Sequence, residues 1–314
     1  MRKCRGIALL LGGASIEAPR AKLDVRRPPT LVRVRRFILV AASVAIAVGC
    51  AEHPAPPTGS AALPLGWIAV TPPATDTPAL WCANYAEDEW EVSLNADSTA
   101  VLFSAAAGVR GVDSTSTSVS DGVIAGNDLG EFGGAIWWSG RSGRRDTLDV
   151  EDRDSSTFAA DNVHGFLRRR GSLYALVGLA HLTLDAGELL YLSQDSAGRW
   201  HARHVMSLGG SPEAYALMGS DSALVLLSDS LLAVKFDPVA PTRRALYGDP
   251  AWGYTYASSI LRDRAGIVYI GMRSAVARLT PSGRGYHEDW LVPERCRRRV
   301  PVGRGEPCRC EPGA

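Results

Sequence analysis

Three polar residues hold similar places in successive units of a sequence repeat. His164, Glu213 and Tyr254 each begin, or lie close to, the first strand of a unit. If the first strands run side by side, their ends meet and bring these side chains to one opening. Imidazole, carboxylate and phenol groups held together can bind a polar ligand or a metal ion. We take these residues as the candidate binding site.

Other polar residues are less well placed for chemistry. His201 and His204 are three positions apart, so on one strand they face opposite sides and chelate one ion poorly. The acidic run 149–154 offers oxygen ligands for Ca²⁺, but the glycine that turns an EF-type loop is missing. The chain contains no Gly-x-Ser-x-Gly, His-Glu-x-x-His or phosphate-binding motif. We therefore expect no metal ion and no cofactor, and we assign no catalytic residue.

A basic and then apolar segment near the start of the chain is typical of an export signal. Arg33-Val34-Arg35-Arg36 precedes residues 37–48, which read FILVAASVAIAV, and Gly49 and Cys50 follow. This order is that of a secretory signal peptide. An apolar run of this length rises about 18 Å as a helix, too little to cross a hydrocarbon core of about 30 Å. We expect export rather than a membrane-spanning helix.

The end of this segment resembles the lipobox of bacterial lipoproteins. The resemblance lies in Ala47-Val48-Gly49-Cys50, although the commonest form has Leu where Ala47 stands. In that family the cysteine thiol is acylated and the cysteine becomes the first residue of the mature protein. The resemblance implies a lipid anchor on Cys50 and a location in the cell envelope, facing the periplasm or the exterior. A plain secretory signal with an unrelated cysteine is the alternative.

The sequence divides into four parts around this signal. Residues 1–49 form an N-terminal extension and the signal peptide, and the surplus residues 1–31 lead us to expect translation to begin near Val32 or Val34. Residues 50–78 are rich in Pro and Ala, which predicts an extended tether. Residues 79–295 form the folded domain, and the basic segment 296–314 is expected to be disordered.

The charge is unevenly distributed along the chain. Residues 1–49 carry ten Lys and Arg and two Asp and Glu, although the whole chain has a net charge of +1. Residues 50–295 carry 19 basic and 29 acidic side chains. An acidic body repels phosphate backbones, so we expect no nucleic-acid partner.

Internal similarity is the strongest signal in the folded part. Residues 223–238 and 266–281 match at a constant offset of 43, from a run of apolar residues to a final proline at Pro238 and Pro281. Within each unit, short apolar runs alternate with Gly, Asp, Ser and Pro, which predicts strands separated by tight turns. We expect Ala214–Met218, Ala223–Leu227, Leu231–Phe236 and Tyr254–Leu261 to be strands, and the polar segment Ser114–Ser120 to be a loop.

Four strands in a repeat of about 40–50 residues is the pattern of a β-propeller blade. One such sheet cannot bury both of its faces, so the units must stack. We predict an all-β fold, a propeller of about five four-stranded blades. Residues 164–292 resemble bacterial propeller proteins in general, without the signature of a named family. A pair of β-sandwiches is the competing fold, and it does not explain the constant offset.

The cysteines suggest a covalent link. Cys82, Cys296, Cys308 and Cys310 remain after Cys4 and Cys50 are set aside. Disulfides are favoured in an exported protein. Because Cys82 and Cys296 flank the predicted ring, we predict that they pair with each other.

These features support two functions of different kinds. The first is a lipid-anchored binding or interaction module for an envelope protein or a glycan. The alternative is an envelope enzyme of the propeller lyase, lactonase or dehydrogenase type, with its site at the central channel. Such enzymes repeat histidines and carboxylates at inner-strand positions, whereas the aligned pair here matches Ser228 with Gly271 and Asp229 with Met272. The sequence therefore favours the binding module.

Overall fold

The computed structural model describes residues 63–106, 113–152, 162–297, 299–301 and 308–310. Cys50 and the signal segment 1–49 lie outside these ranges. Within them, neither helix is long enough and apolar enough to cross a membrane.

The best-formed sheets come from the segment with the strongest repeat. One sheet contains four antiparallel strands in chain order: β13 (Pro212–Met218), β14 (Ser222–Leu227), β15 (Ser230–Lys235) and β16 (Thr242–Gly248). The strand predictions for 214–236 are confirmed. Residues 223–227 of β14 are buried on both faces, because sheets pack against both sides of this one.

The following sheet is completed by a strand from the start of the domain. It contains β17 (Ser259–Arg262), β18 (Val268–Gly271), β19 (Val276–Ser282) and β20 (Gly285–Pro293). Strand β1 (Trp67–Val70) pairs antiparallel with β20 along its whole length. The tether predicted for residues 50–78 is therefore wrong from residue 67 onward, since the apolar Trp67-Ile68-Ala69-Val70 forms an edge strand.

The sheets nearer the N-terminus are more varied. One has four antiparallel strands, β4 (Asp113–Val119), β5 (Gly122–Asp128), β6 (Ala135–Gly140) and β7 (Arg145–Thr147). The next has five strands, in which β8 (Val150–Glu151) runs parallel to β12 (Trp200–Ser207), beyond β9 (Val163–Arg169), β10 (Ser172–His181) and β11 (Leu184–Gln194). A two-stranded sheet holds β2 (Trp90–Leu94) and β3 (Val101–Ala105).

The prediction of a loop at Ser114–Ser120 is wrong. Strand β4 is paired with β5 throughout, from Asp113 opposite Asp128 to Val119 opposite Gly122. Its side chains alternate in exposure, with the β-branched Thr115, Thr117 and Val119 half-buried and the intervening serines exposed. Period-two alternation of Ser and Thr is compatible with a strand even though the segment is polar throughout.

Apolar clusters join the sheets face to face. Four clusters of buried side chains each lie between two neighbouring sheets, and the first strands β4, β9, β13, β17 and β2 lie next to one another in that order. The approach is close at β9 and β13, where a Cβ on Gly165 would collide with the Tyr215 ring. The Tyr215 hydroxyl donates to the carbonyl oxygen of Phe166 at 3.1 Å. Consecutive antiparallel sheets stacked through their first strands form a propeller-like arrangement.

Two short helices interrupt the all-β pattern. Helix α1 (Pro78–Asn84) follows β1, and α2 (Ala251–Thr255) precedes β17. The strand predicted for Tyr254–Leu261 is therefore wrong in its first half. Asp249 and Pro250 favour the start of the helix, because the Asp249 carboxylate accepts a hydrogen bond from the backbone N–H of Ala251 at 2.8 Å and Pro250 already has a right-handed helical backbone.

Two disulfides connect the ends of the domain. Cys82 of α1 pairs with Cys308, and Cys296 pairs with Cys310. The predicted Cys82–Cys296 bond is therefore wrong, because the segment Cys308-Arg309-Cys310 lies between these two cysteines and bonds to each. Strands β21 (Arg299–Pro301) and β22 (Cys308–Cys310) pair antiparallel, so segment 296–314 is not disordered throughout. Disulfides indicate an oxidising, extracytoplasmic location.

Candidate functional site

A cavity of about 1050 Å³ opens at one end of the sheets. We call it the end cavity. Its wall includes Glu213 at the start of β13, Ser228 after β14, Ser258 before β17 and Arg273 after β18. In antiparallel sheets the start of one strand lies beside the end of the next, as Ser259 lies opposite Gly271. The cavity therefore forms where first strands begin and second strands end.

Arg273 ties three parts of the wall together. Its Cζ lies 4.0 Å from the centre of the Tyr256 ring, a cation–π geometry. Its Nη1 donates to the carbonyl oxygen of Asn84 at 3.2 Å, and its backbone N–H donates to that of Thr255 at 2.7 Å. Tyr256 has a left-handed backbone, with φ 53° and ψ 60°, which is uncommon for an aromatic residue. This conformation places the ring against the guanidinium.

Asp185 presents a carboxylate that neighbouring groups hold in place. The backbone N–H of Ser211 donates to its Oδ1 at 2.6 Å, and the Ser228 hydroxyl donates to its Oδ2 at 2.7 Å. These contacts link β11 to the adjacent sheet. Because both donors are neutral, they orient the carboxylate without cancelling its negative charge.

Helix α1 and its C-terminal end carry two exposed aromatic side chains, of which Tyr85 lines the end cavity and Trp81 does not. The helix begins at Pro78, after Thr77 caps it by accepting from the N–H of Leu80 at 3.2 Å. Its buried face packs on α2, whereas Trp81 and Tyr85 point outward with 56% and 46% of their surfaces exposed. Their ring centroids are 4.4 Å apart. Large exposed aromatic side chains of this kind are typical of recognition surfaces.

A buried carboxylate lies behind the cavity wall. Trp252 of α2 lines the cavity, and its indole Nε1 donates to Oε1 of Glu288 at 2.9 Å. The Nε1 of Trp290 donates to the same oxygen at 2.8 Å. Burial raises the pKa of the Glu288 carboxyl, and burial together with the hydrogen bond to Glu288 raises the pKa of Tyr247. Glu288 thus fixes the position of Trp252.

The three residues of the predicted site do not all line the end cavity. Glu213 lines the end cavity, in agreement with its place at the start of β13. His164 lies outside the lining, where its Nε2 is 3.1 Å from the carbonyl oxygen of Gly178 and its Nδ1 is 3.8 Å from Asp128. Tyr254 also lies outside the lining, although its neighbours Trp252 and Gly253 in α2 contribute to it. Of the three residues, only Glu213 thus contributes to the end cavity, and a site shared by all three stays a prediction.

Sequence reasoning missed Asp185, Tyr256 and Arg273. Arg273 lies in the turn after the second strand of its sheet, and Asp185 lies just past the hairpin after β10. Examining that turn in each unit of the repeat would have pointed to this end of the sheets. Nothing in the local sequence pairs Arg273 with Tyr256 or with Asn84.

A second concavity, of about 530 Å³, lies beside β7, β8 and β12. We call it the side groove. Two ion pairs join side chains of this groove: Arg144 with Asp146 at 2.6 Å, and His201 Nδ1 with Glu151 at 2.8 Å. The hydrogen bond to Glu151 raises the pKa of His201, and the hydrogen bond to Asp195 raises it further.

Comparison with known proteins reveals weak similarity only. No protein-family model matches the chain, and no curated protein is significantly similar to it. A streptogramin B lyase structure is 10% identical, with a TM-score of 0.32 over 71% of this chain and 57% of that chain. Virginiamycin B lyase from Staphylococcus aureus is 9% identical, with a TM-score of 0.27 over 71% of this chain and 88% of that chain. The chain spans little more than half the length of the first of these. At such scores neither likeness carries an argument about fold or activity.

Proposed function

We propose that this protein is a lipid-anchored module of the cell envelope that binds a partner at the end cavity. The observation that carries the proposal is the cavity itself, built by three sheets and both helices. Binding sites are concave and combine apolar walls with a few placed polar groups. Tyr85 and Tyr256 give apolar surface here, and Asp185 and Arg273 give fixed charges.

The anchor and the closed ring belong to the same proposal. The order of basic, apolar and Gly-Cys residues before Cys50 supports lipidation. Multiple acyl chains are needed for stable anchoring, because one chain gives only marginal membrane affinity. Pairing of β1 with β20 supports closure of the sheets into a ring of five blades.

No specific arrangement in the described lining favours the enzyme alternative. The Ser228 hydroxyl is bonded to Asp185, and His181 pairs with Glu131 at 3.1 Å, so these two residues do not form a nucleophile–base pair with each other.

Site-specific photo-crosslinking in intact cells tests the binding function. A photo-reactive residue replaces Leu182, which lines the end cavity and is 93% exposed. The matched control replaces Val239, which is 88% exposed and lies after β15, at the opposite end of its sheet. We expect one discrete adduct from position 182 and none from position 239. No adduct at position 182, or equal adducts at both positions, would refute binding at the cavity.

Metabolic labelling with a clickable palmitate tests the anchor separately. We expect label on the wild type and none on Cys50→Ala. Equal labelling of both proteins would exclude acylation of Cys50.

A further inference from the structure

We propose that the outer edge of β3 pairs with the same strand of a second copy of this chain. This inference does not rest on the proposed function at the end cavity. Four properties of β2 and β3 support it: the size of their sheet, the direction of the backbone groups of β3, its uncharged sequence, and the symmetry of its register.

The sheet of β2 and β3 has only half the strands of the sheets stacked beside it. Within the described chain, the sheets that contain β4, β9, β13 and β17 have four or five strands each, whereas this one has two. Its packed face is apolar, and the Phe103 ring lies 4.8 Å from the Trp67 ring and 5.9 Å from the Tyr269 ring. Two strands alone are marginal, and further strands stabilise a sheet with an apolar face. This sheet therefore has room for two more strands.

The hydrogen bonds around this sheet fix the direction of its backbone groups. The N–H of Asn95 donates to the carbonyl oxygen of Ala100 at 2.9 Å, and that of Ala106 donates to Glu89 at 2.8 Å. Bonded and non-bonded pairs alternate in an antiparallel ladder, so odd-numbered residues of β2 bond to even-numbered residues of β3. The even-numbered residues of β2 point the other way. Accordingly, the Trp90 N–H donates at 3.1 Å to the carbonyl oxygen of the residue after β18.

The odd-numbered residues of β3 therefore direct their N–H and C=O groups away from β2. These residues are Val101, Phe103 and Ala105, and within the described residues no strand pairs with this side of β3. An open edge of this kind is a template for another strand. Natural sheets often protect an edge with charged side chains, as the outer strands β7 and β16 do with arginines. Strand β3 reads VLFSA and carries no charge that would oppose pairing.

A second copy of β3 suits this edge because the edge is self-complementary. In an antiparallel pair centred on Phe103, that residue lies opposite its counterpart, and Val101 of each copy lies opposite Ala105 of the other. The outward N–H and C=O groups then meet at all three positions. The exposed face sets Leu102 opposite Ser104, so no like charges are opposed.

The same residues from both copies form this contact, as in a twofold symmetric dimer. Two sheets of two strands would then make one sheet of four, the size of the sheets that contain β4 and β13. The chain's own segment 51–62 suits the edge poorly, because it contains three prolines and proline has no N–H to donate to a strand. The second copy is therefore the occupant that we assign.

A charge-swap experiment tests both the pairing and its register. One variant is Leu102→Lys with Ser104→Lys, and the other is Leu102→Glu with Ser104→Glu. In the proposed register each variant sets like charges opposite each other at two places. The matched control, Thr242→Lys with Ala245→Lys, adds two lysines at exposed positions of the outer strand β16. All proteins carry Cys50→Ala, so that acyl chains cannot associate, and thermal unfolding verifies that each is folded.

We expect sedimentation equilibrium to give a species of twice the chain mass for the protein with the natural β3 and for the control. The Lys variant and the Glu variant should each dimerise about tenfold more weakly. Mixing these two variants should restore the dimer, because Lys then lies opposite Glu at both places.

Three results would overturn the inference. The first is a monomer at every concentration when β3 is unchanged, and if deleting residues 51–62 then produces a dimer, the chain's own segment covers the edge. The second is a dimer that neither charged variant weakens, which would place the contact elsewhere. The third is a mixture that stays monomeric although both variants are folded, which would exclude the antiparallel register about Phe103.

Discussion

The end cavity and the side groove contain similar charged side chains but balance them differently. The side groove sets three arginines, Arg144, Arg145 and Arg199, against the three carboxylates of Asp146, Asp149 and Glu151. The described lining of the end cavity contains the carboxylates of Glu87, Glu89, Asp185 and Glu213 and the guanidinium of Arg273. The two concavities thus differ in the ratio of acidic to basic side chains in their described linings.

The kind of group that contacts each charged side chain matters more than the number of charged side chains. In the side groove, ion pairs such as Arg144–Asp146 join exposed side chains, and such pairs contribute little to stability or recognition. In the end cavity, Asp185 is oriented by a backbone N–H and a hydroxyl. Neutral donors orient the carboxylate of Asp185 without cancelling its charge.

The largest expected effect comes from deleting residues 256–295. The deletion removes Arg273 and the sheet that pairs with β1. Only if the sheets form a closed ring should this loss also unfold the part of the domain around the distant side groove. We expect the whole domain to unfold, because open sheets would expose the apolar clusters between them. Limited proteolysis of the truncated chain checks this. A soluble, protease-resistant product would show that the sheets are stable without closure.

Loss of the Cys82–Cys308 disulfide should have the next largest effect. Cys82→Ser with Cys308→Ser removes a bond between positions 226 residues apart, which anchors α1 of the cavity wall. Chain-entropy arguments predict a decrease of about 5 kcal/mol in the free energy of unfolding. Urea denaturation of the full chain measures it.

The second disulfide is a matched control for the first. Cys296→Ser with Cys310→Ser opens a loop of sequence separation 14, for which about 3 kcal/mol is expected. This bond does not include α1, so photo-crosslinking from position 182 should survive its loss better than the loss of Cys82–Cys308. A larger destabilisation from the shorter loop would contradict the assigned pairing.

The Glu288→Gln substitution, behind the wall of the end cavity, should alter how the free energy of unfolding depends on pH. Because burial raises the folded-state pKa of Glu288 above its ordinary 4.5, its stabilising contribution is complete below pH 4.5 and is lost as the pH rises through the folded pKa. Gln still accepts from Trp252 and Trp290 but does not titrate. We expect a flatter curve of unfolding free energy against pH for the variant. Glu91→Gln, at an exposed position on β2, should keep the wild-type curve. If Glu288→Gln shifts stability equally at every pH, the buried charge is not the cause.

The fold was predictable where strand patterns were local. The runs 214–218, 223–227 and 231–236 match β13, β14 and β15 because turn residues bound each apolar stretch. Helix α2 was missed because the helical backbone of Pro250 and the contact between Asp249 and Ala251 start a helical turn that the apolar pattern does not indicate. Strand β1 was missed because its pairing with β20 joins residues more than 200 positions apart.

The site was less predictable than the fold, because its contacts cross the whole domain. Arg273 reaches Asn84 across 189 positions, and Asp185 reaches Ser228 across 43. The local sequence around each of these residues does not indicate which distant residue it contacts. The disulfides were missed for a related reason, since four cysteines allow three pairings and sequence alone cannot choose among them.

The smallest expected effect is on the side groove, where His201 is the group that titrates near neutrality. Hydrogen bonds to Glu151 and Asp195 raise its pKa above the ordinary 6.5. The stability from these pairs is therefore complete below pH 6.5 and is lost as the pH rises through the folded pKa. Because the pairs are exposed, the change should be small. An NMR titration, with His201→Gln assigning the signal, should give a midpoint above 6.5 that falls in Glu151→Gln. His201→Gln should also leave the yield of the crosslink from position 182 unchanged. A midpoint at or below 6.5 would contradict the pairing of His201 with the two carboxylates, and a changed crosslink yield would show that the side groove influences the end cavity.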